Sequence, residues 1–321
     1  MSRSAANDTK GNDKALGGSR RFLVLTVVVV FIIGAVAGVA IYRDRVAPFR
    51  VAVLEVDDAS VTMRYFLKRL QMSGDNPMAV FETIMREMII RQAAPLAPFN
   101  LDISDEDVDR FMETLATGDS QAITEDELEE WYRQLANETP LSDSELRELL
   151  HTNLAGIQIN EHLSQRVPTV DEQVHISMII VESFQDATEL KERLSAGEDF
   201  GELSQELNTE ERLQEQGGDL GWFPRGVLSP SLEAVAFALD INQVSEPLSF
   251  GEQFYAVVRI TERAAARTIA EDALQIIRSR AMENWFAEEL THHEITIRGL
   301  KNGYDSETDA WVSWQLEQMG Q

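Results

Sequence analysis

From Phe22 to Tyr42 the chain reads FLVLTVVVVFIIGAVAGVAIY, twenty-one positions without a charge. A helix of that length spans about 30 Å at 1.5 Å per residue, one hydrocarbon thickness, so a single transmembrane helix is expected at 22–42. Gly38-Val39-Ala40 imitates a signal-peptide cleavage site, but the apolar run is too long for that reading. Ahead of it, residues 1–21 are polar and rich in Gly and Ser, a tail with nothing to bury. Arg3, Lys10, Lys14, Arg20 and Arg21 precede the run, and Arg43, Arg45 and Arg50 follow it. The excess on the first side turns the N-terminus towards the cytoplasm and the bulk of the chain outside.

Beyond the run, FRVAVLEVDD alternates as a short strand, with Val51, Val53 and Val56 at its β-branched positions. Helical spacing then takes over. In MAVFETIMREMIIRQAAP, Phe81, Ile84, Met85, Met88 and Ile89 share one face, and the helix must stop before Pro95. Three further starts carry capping boxes: Ser104 with Asp107, Thr124 with Glu127 and Ser142 with Glu145. Residues 43–168 therefore read as an α-helical domain that ends where Pro168 breaks its last helix. From Thr169 to Arg263 the pattern changes to strand VHISMIIV, helices SFQDATELKERLSAGEDF and GELSQELN, strand DLGWF, helix SPSLEAVAFAL and strand FYAVVRI. That order predicts an α+β domain with helices around a small, mostly antiparallel sheet. A helix over Thr268–Leu290 and the strand EITIRGL make up 264–298, and 299–321 form a tail whose Trp311 and Trp314 share a helix face.

Charge narrows the function classes. Acidic side chains number 55 against 28 basic ones, for a formal net of -27. Such a surface repels phosphate backbones, and nucleic acid is not expected as a partner. The absence of cysteine excludes disulfides, thiolate metal sites, a cysteine nucleophile and a lipid-modified N-terminal cysteine. The acidic run DISDEDVD, with Asp105, Asp107 and Asp109, is a poor calcium loop because Arg110 stands where glycine is needed and Ala116 where a bidentate glutamate is needed. His151 and His162 lie about 16 Å apart on a continuous helix, and His292 and His293 point to different faces. No metal and no cofactor are expected.

The densest local signal is QGGDLGWFPRG, Gln216 to Gly226, whose glycines end a loop and release the backbone into a strand. Together with LKERLSAGEDFGELSQEL before it and SPSLEAVAFAL and NQVSEPLSFGEQFYAVVRITER after it, this stretch resembles the parvulin-type peptidyl-prolyl cis-trans isomerases (the PpiC or rotamase family), over about ninety residues from Val174 to Arg263. The flanks resemble foldases of the SurA and PrsA style. The resemblance implies a four-stranded parvulin domain inserted at 169–263 into a SurA-N-like helical chaperone module, with 264–298 returning to that module. It implies a proline socket lined by Leu220, Leu228 and Leu232, with Phe223 and Phe237 behind it and Ser229 and Phe254 among the substrate contacts; Leu228 and Leu232 read as neighbours four apart on one helix. Two histidines usual in the family are replaced, by Met178 on the first strand and Ala256 on the last. Where a cysteine or aspartate is usual, six residues before Gly217, Glu211 stands.

A prolyl isomerase has to lower a resonance barrier of about 18–20 kcal/mol and needs no nucleophile or proton carrier. An apolar socket and polar groups favouring the twisted amide suffice. Loss of both histidines therefore leaves catalysis and pure peptide binding open. The expected protein is a foldase anchored in the bacterial inner (cytoplasmic) membrane through Phe22–Tyr42, its main domains extracytoplasmic, acting on X-Pro bonds of unfolded or nascent exported polypeptides. The alternatives are a non-catalytic holdase or membrane-complex subunit, and an architectural anchor recruited through Trp311 and Trp314.

Overall fold

The computed structural model of the chain describes residues 33, 35–43, 45–118, 123–251, 253–301 and 303–319. The expected span Phe22–Tyr42 falls outside the described residues through 32 and at 34; residues 35–43 are helical and exposed. No helix among the described residues is long and apolar enough to cross a membrane. Contacts divide the chain into two compact units, one of residues 1–89, 105–150 and 293–321, the other of 90–104 and 151–292. The division cuts through the segment 43–168 rather than keeping it whole.

In the first unit a short helix α1 (Ala47–Arg50) leads into strands β1 (Ala52–Val56) and β2 (Ala59–Thr62), followed by α2 (Met63–Ser73) and α3 (Pro77–Ala93). The apolar face read from the sequence is buried as expected: Phe81 and Ile84 are each 1% exposed, and the Phe81 ring stacks on Phe66 at 4.0 Å. Helix α3 starts where Asn76 Oδ1 accepts the Ala79 N–H at 3.0 Å, with Pro77 in the first turn. The acidic run is the opening turn of α4 (Asp105–Thr117), where carboxylates oppose the positive end of the helix dipole. Helices α5 (Glu125–Glu138) and α6 (Asp143–Gln165) start on reciprocal capping boxes. The strand EITIRGL condenses to Ile295–Ile297, which pairs antiparallel with β1 in a three-stranded sheet, so the last strand closes on the first. Trp311 and Trp314 part company on the helix Ser306–Met319: the Trp311 ring lies 5.3 Å from Phe49, whereas Trp314 is 53% exposed. Three residues advance 300° around a helix, enough for one ring to reach a neighbour and the other to miss it.

The second unit is built on β3 (Val170–Val181), β4 (Asp219–Pro224), β5 (Leu248–Phe250) and β6 (Phe254–Thr268), in the spatial order β4-β3-β6-β5 with every neighbour antiparallel. β3 is central and covered on both faces, which is why MIIV, residues 178–181, reads as a continuous apolar run rather than an alternation. One face carries Val174, Ile176, Met178 and Ile180 against α10 (Pro230–Ala238). The other carries Ile179 and Val181 against α7 (Phe184–Ser195) and α8 (Phe200–Leu207). After β6 comes α11 (Glu271–Glu289), whose Met282 and Trp285 pack on Ile90, Phe99, Ala155 and Ile159. Phe99 and Trp285 meet edge to face at 5.5 Å.

One buried ion pair stands out in the first unit. Arg69 and Glu87, 6% and 9% exposed, are joined twice, at 2.6 Å and 2.8 Å. Cutting one partner leaves a desolvated charge, at a cost of about 3–5 kcal/mol, whereas an apolar pair of similar volume restores most of the loss. Glu87→Ala is therefore expected to lower the urea midpoint of the chain strongly, and Arg69→Met with Glu87→Leu to recover it, followed by far-ultraviolet circular dichroism.

Candidate peptide-binding site

Gly217 and Gly218 both have positive φ, 61° and 84°. A Cβ on Gly218 would lie 2.9 Å from Phe200 Cε1 and 3.1 Å from both Met178 O and Ser204 Oγ, so this position admits no side chain. The close approach lets the Met178 N–H donate to Gly218 O at 2.8 Å. Asn208, 1% exposed at the end of α8, extends the same seam: its Nδ2 donates to Met178 O at 3.0 Å and its Oδ1 accepts the Ile180 N–H at 3.2 Å. Short helix α9 (Glu211–Glu215) is thereby held beside the strand, with Leu213 buried and Glu211 exposed.

The register of β3 against β4 slips here. Ile176 pairs with Gly221 and Ser177 with Asp219, leaving Leu220 as the extra residue of a β-bulge. On a regular strand Leu220 and Phe223, three apart, would point to opposite faces. The bulge brings both against one cluster, that of Met178, Leu232, Phe237 and Ala256. Asp219 supports the kink, its Oδ1 accepting the Gly221 N–H at 2.9 Å.

Leu228 joins the same cluster from a different position than the sequence implied. The helix begins at Pro230 with Ser229 as its N-cap, so Leu228 precedes the helix that carries Leu232. Proline at the first helical position forces the preceding residue into extended backbone, and Ser229 has ψ 150°. The structure thus brings together Leu220, Phe223, Leu228, Leu232, Met178 and Ala256. Leu220, Phe223 and Leu228 are half-buried, which leaves an apolar surface within reach of solvent. Ser229 is exposed and lines a cleft of about 620 Å³ with Gly226, Leu228 and Arg280. Phe254, 40% exposed on the edge pair with Phe250, is not part of the cluster.

Polar residues that no motif pointed to hold this patch. Glu172 bridges Arg225 at 3.1 Å and Arg263 at 2.9 Å. The Arg225 guanidinium sits 4.0 Å over the Phe237 ring, and Arg263 Nη2 donates to Phe237 O and Leu239 O at the end of α10, each at 3.0 Å. The Gly226 N–H is taken by Glu233 at 2.6 Å, and its carbonyl by Arg280 at 2.7 Å. His175 lies on the opposite face of β3, its Nδ1 2.7 Å from Thr261 Oγ1. Among the described residues no group of three or more His, Asp or Glu is gathered as a metal site requires.

Residues 180–262 match the Rotamase family model, described as the PPIC-type PPIASE domain. Over 267 residues the chain is 27% identical to the foldase protein PrsA of Halalkalibacterium halodurans, covering 77% of this chain and 76% of that protein. The crystal structure of peptidylprolyl isomerase (PrsA) from Bacillus cereus is 18% identical, with a TM-score of 0.42 over 84% of this chain and 92% of that one. The chaperone SurA of Methylobacillus flagellatus is 33% identical over 140 residues, 38% of this chain and 31% of that protein. Residues 180–262 form a parvulin-type, PpiC-like domain, and the chain around them is similar to the PrsA and SurA foldases.

Gly218→Ala is expected to destabilise the second unit by well over the roughly 1–2 kcal/mol of left-handed backbone strain alone. Gly221→Ala, at φ 95° with nothing within 4 Å of the added carbon, carries only that strain. The difference between their thermal midpoints isolates the steric part. Arg263 chiefly, with help from Arg225, holds the Glu172 carboxyl below the usual glutamate value, against the opposing effect of burial. A depressed carboxyl stabilises above its unfolded pKa and gives that up as pH falls through the folded one. The unfolding midpoint of the wild type should accordingly fall more steeply than that of Glu172→Gln from about pH 5 to about pH 3.

Proposed function

We propose that the chain is a membrane-anchored, extracytoplasmic foldase whose segment 169–263 accelerates cis-trans isomerisation of X-Pro bonds in exported polypeptides. The observation that carries this reading is the convergence of Leu220, Phe223, Leu228 and Leu232 with Met178 and Ala256 beside the Gly217–Gly218 turn. A pyrrolidine ring held on that patch is shielded from water, and the X-Pro amide then lies where the α9 end presents its polar groups. Glu211 is the carboxylate offered to the amide from there. Because the barrier is loss of resonance, gripping the ring while favouring the twisted amide lowers it without a bond to the protein. Uncatalysed exchange takes tens to hundreds of seconds, so a modest acceleration already matters to a folding chain. Segments 43–168 and 264–298 serve in this reading as the polypeptide-holding part, and Phe22–Tyr42 as the anchor.

Met178 and Ala256 favour a second reading, a holdase in which the same patch binds proline-containing segments without turnover. Two-dimensional exchange spectroscopy on an X-Pro tetrapeptide, mixed with the full chain in detergent, separates the two. The first reading expects cis-trans exchange to become faster than in peptide alone, and Leu232→Asp to abolish both exchange and peptide line broadening. Broadening without exchange supports the holdase. Neither effect, beside an active histidine-containing parvulin control, removes the site from the account.

A further inference from the structure

The first unit carries a second cleft, far in sequence from the isomerase segment. It encloses about 240 Å³ and is lined by Arg45, Phe49, Arg64, Leu67, Lys68 and Met319. The floor is apolar: Leu67 is 1% exposed, Phe49 is backed by Trp311, and Met319 is 38% exposed. The rim is cationic, with the Arg64 guanidinium 5.9 Å from the Phe49 ring centre and Arg45 exposed opposite. Lys68 pairs with Glu145 at 2.6 Å, so the cation neutralises an acid that would otherwise oppose an anion here. A more open groove with Ala40, Ile41 and Arg43 on its wall shares Arg45. In a chain of net charge -27 this concentration of cations calls for a counter-charge outside the protein.

We propose that this cleft binds the headgroup of an anionic glycerophospholipid, the phosphate lying between Arg45 and Arg64 and the glycerol end on Phe49, Leu67 and Met319. The inference rests on the anchored reading above, because that reading sets the depth. Arg45 follows Tyr42 by three residues in the sequence, between about 4.5 Å and about 10 Å of chain, while the headgroup layer is roughly 5–8 Å deep on each side of the hydrocarbon. A span ending at Tyr42 therefore delivers Arg45 into the layer of lipid phosphates. Trp314, 53% exposed on the helix that also carries Met319, is the amphipathic ring suited to the same depth. A free phosphate would gain from the two arginines but leave the apolar floor unused.

The full chain is reconstituted into phosphatidylcholine bilayers, and its association with spin-labelled phosphatidylglycerol and spin-labelled phosphatidylcholine is compared by electron spin resonance. Carbonate washing beforehand reports the anchor separately. The proposal expects carbonate-resistant protein that prefers phosphatidylglycerol by about fivefold or more, the worth of a surface cation or two near an anionic headgroup. Arg45→Gln with Arg64→Gln should bring the preference to about one, Arg45→Lys with Arg64→Lys should keep most of it, and Arg110→Gln, exposed elsewhere on the unit, should leave it unchanged. Inorganic phosphate at matched ionic strength should not compete. Extraction by carbonate overturns the anchored reading and this inference with it. Retention with no preference, a preference that survives the double glutamine variant, or displacement by inorganic phosphate overturns the lipid site alone.

Discussion

The approach of Gly218 to β3 is the constraint on which the second unit depends. Met178 and Gly218 can share a hydrogen bond of 2.8 Å only because nothing projects from Gly218 into the space filled by Phe200, Ser204 and Met178 O. That contact seats the loop 208–218 along the strand, and Asn208 closes the remaining backbone groups at Met178 and Ile180. Buried peptide groups left unpaired there would each cost about 1–3 kcal/mol, so turn, strand and helix end stand or fall together.

From that seam the functional geometry follows. The chain leaves Gly218 into β4 with a bulge at Leu220, and the bulge turns two side chains of opposite parity onto one face. Leu228 and Leu232 then arrive from either side of the Ser229-Pro230 helix start. The patch is apolar at the two places where polar side chains are usual in proteins it resembles, Met178 and Ala256, which are 4% and 0% exposed. Its polar surroundings serve mainly to hold shape: Glu172, Arg225 and Arg263 clamp the ring and the carbonyl end of α10, and Glu233 with Arg280 fixes the Gly226 peptide. A rigid apolar seat of this kind suits a reaction whose barrier is electronic resonance rather than bond cleavage.

Charge is distributed to match. The formal net charge of -27 repels anionic surfaces in general. Against that background, Arg45, Arg64 and Lys68 are gathered around Phe49, shortly after the apolar run.

Much of the fold was legible in the sequence because it rests on local rules. Helical spacing marked the buried face of Pro77–Ala93, the capping boxes at Thr124 and Ser142 marked helix starts, and a double glycine before DLGWF marked a turn with positive φ. That Leu220, Leu228 and Leu232 gather in one cluster was legible too, through the resemblance of this stretch to a known pattern. What could not be read were features set by distant partners: the strand Ile295–Ile297 closing on Ala52–Val56, the helix Glu211–Glu215, and the Glu172–Arg225–Arg263 clamp. The register slip at Leu220 was equally hidden, and Leu228 was read as a helix residue. Amino-acid order alone determined where helices and turns start, since capping, periodicity and proline geometry act within a few residues. Only the tertiary structure decided which face Leu220 shows and which charges meet, because bulges and ion pairs are settled by the energy of contacts between segments as much as 243 residues apart.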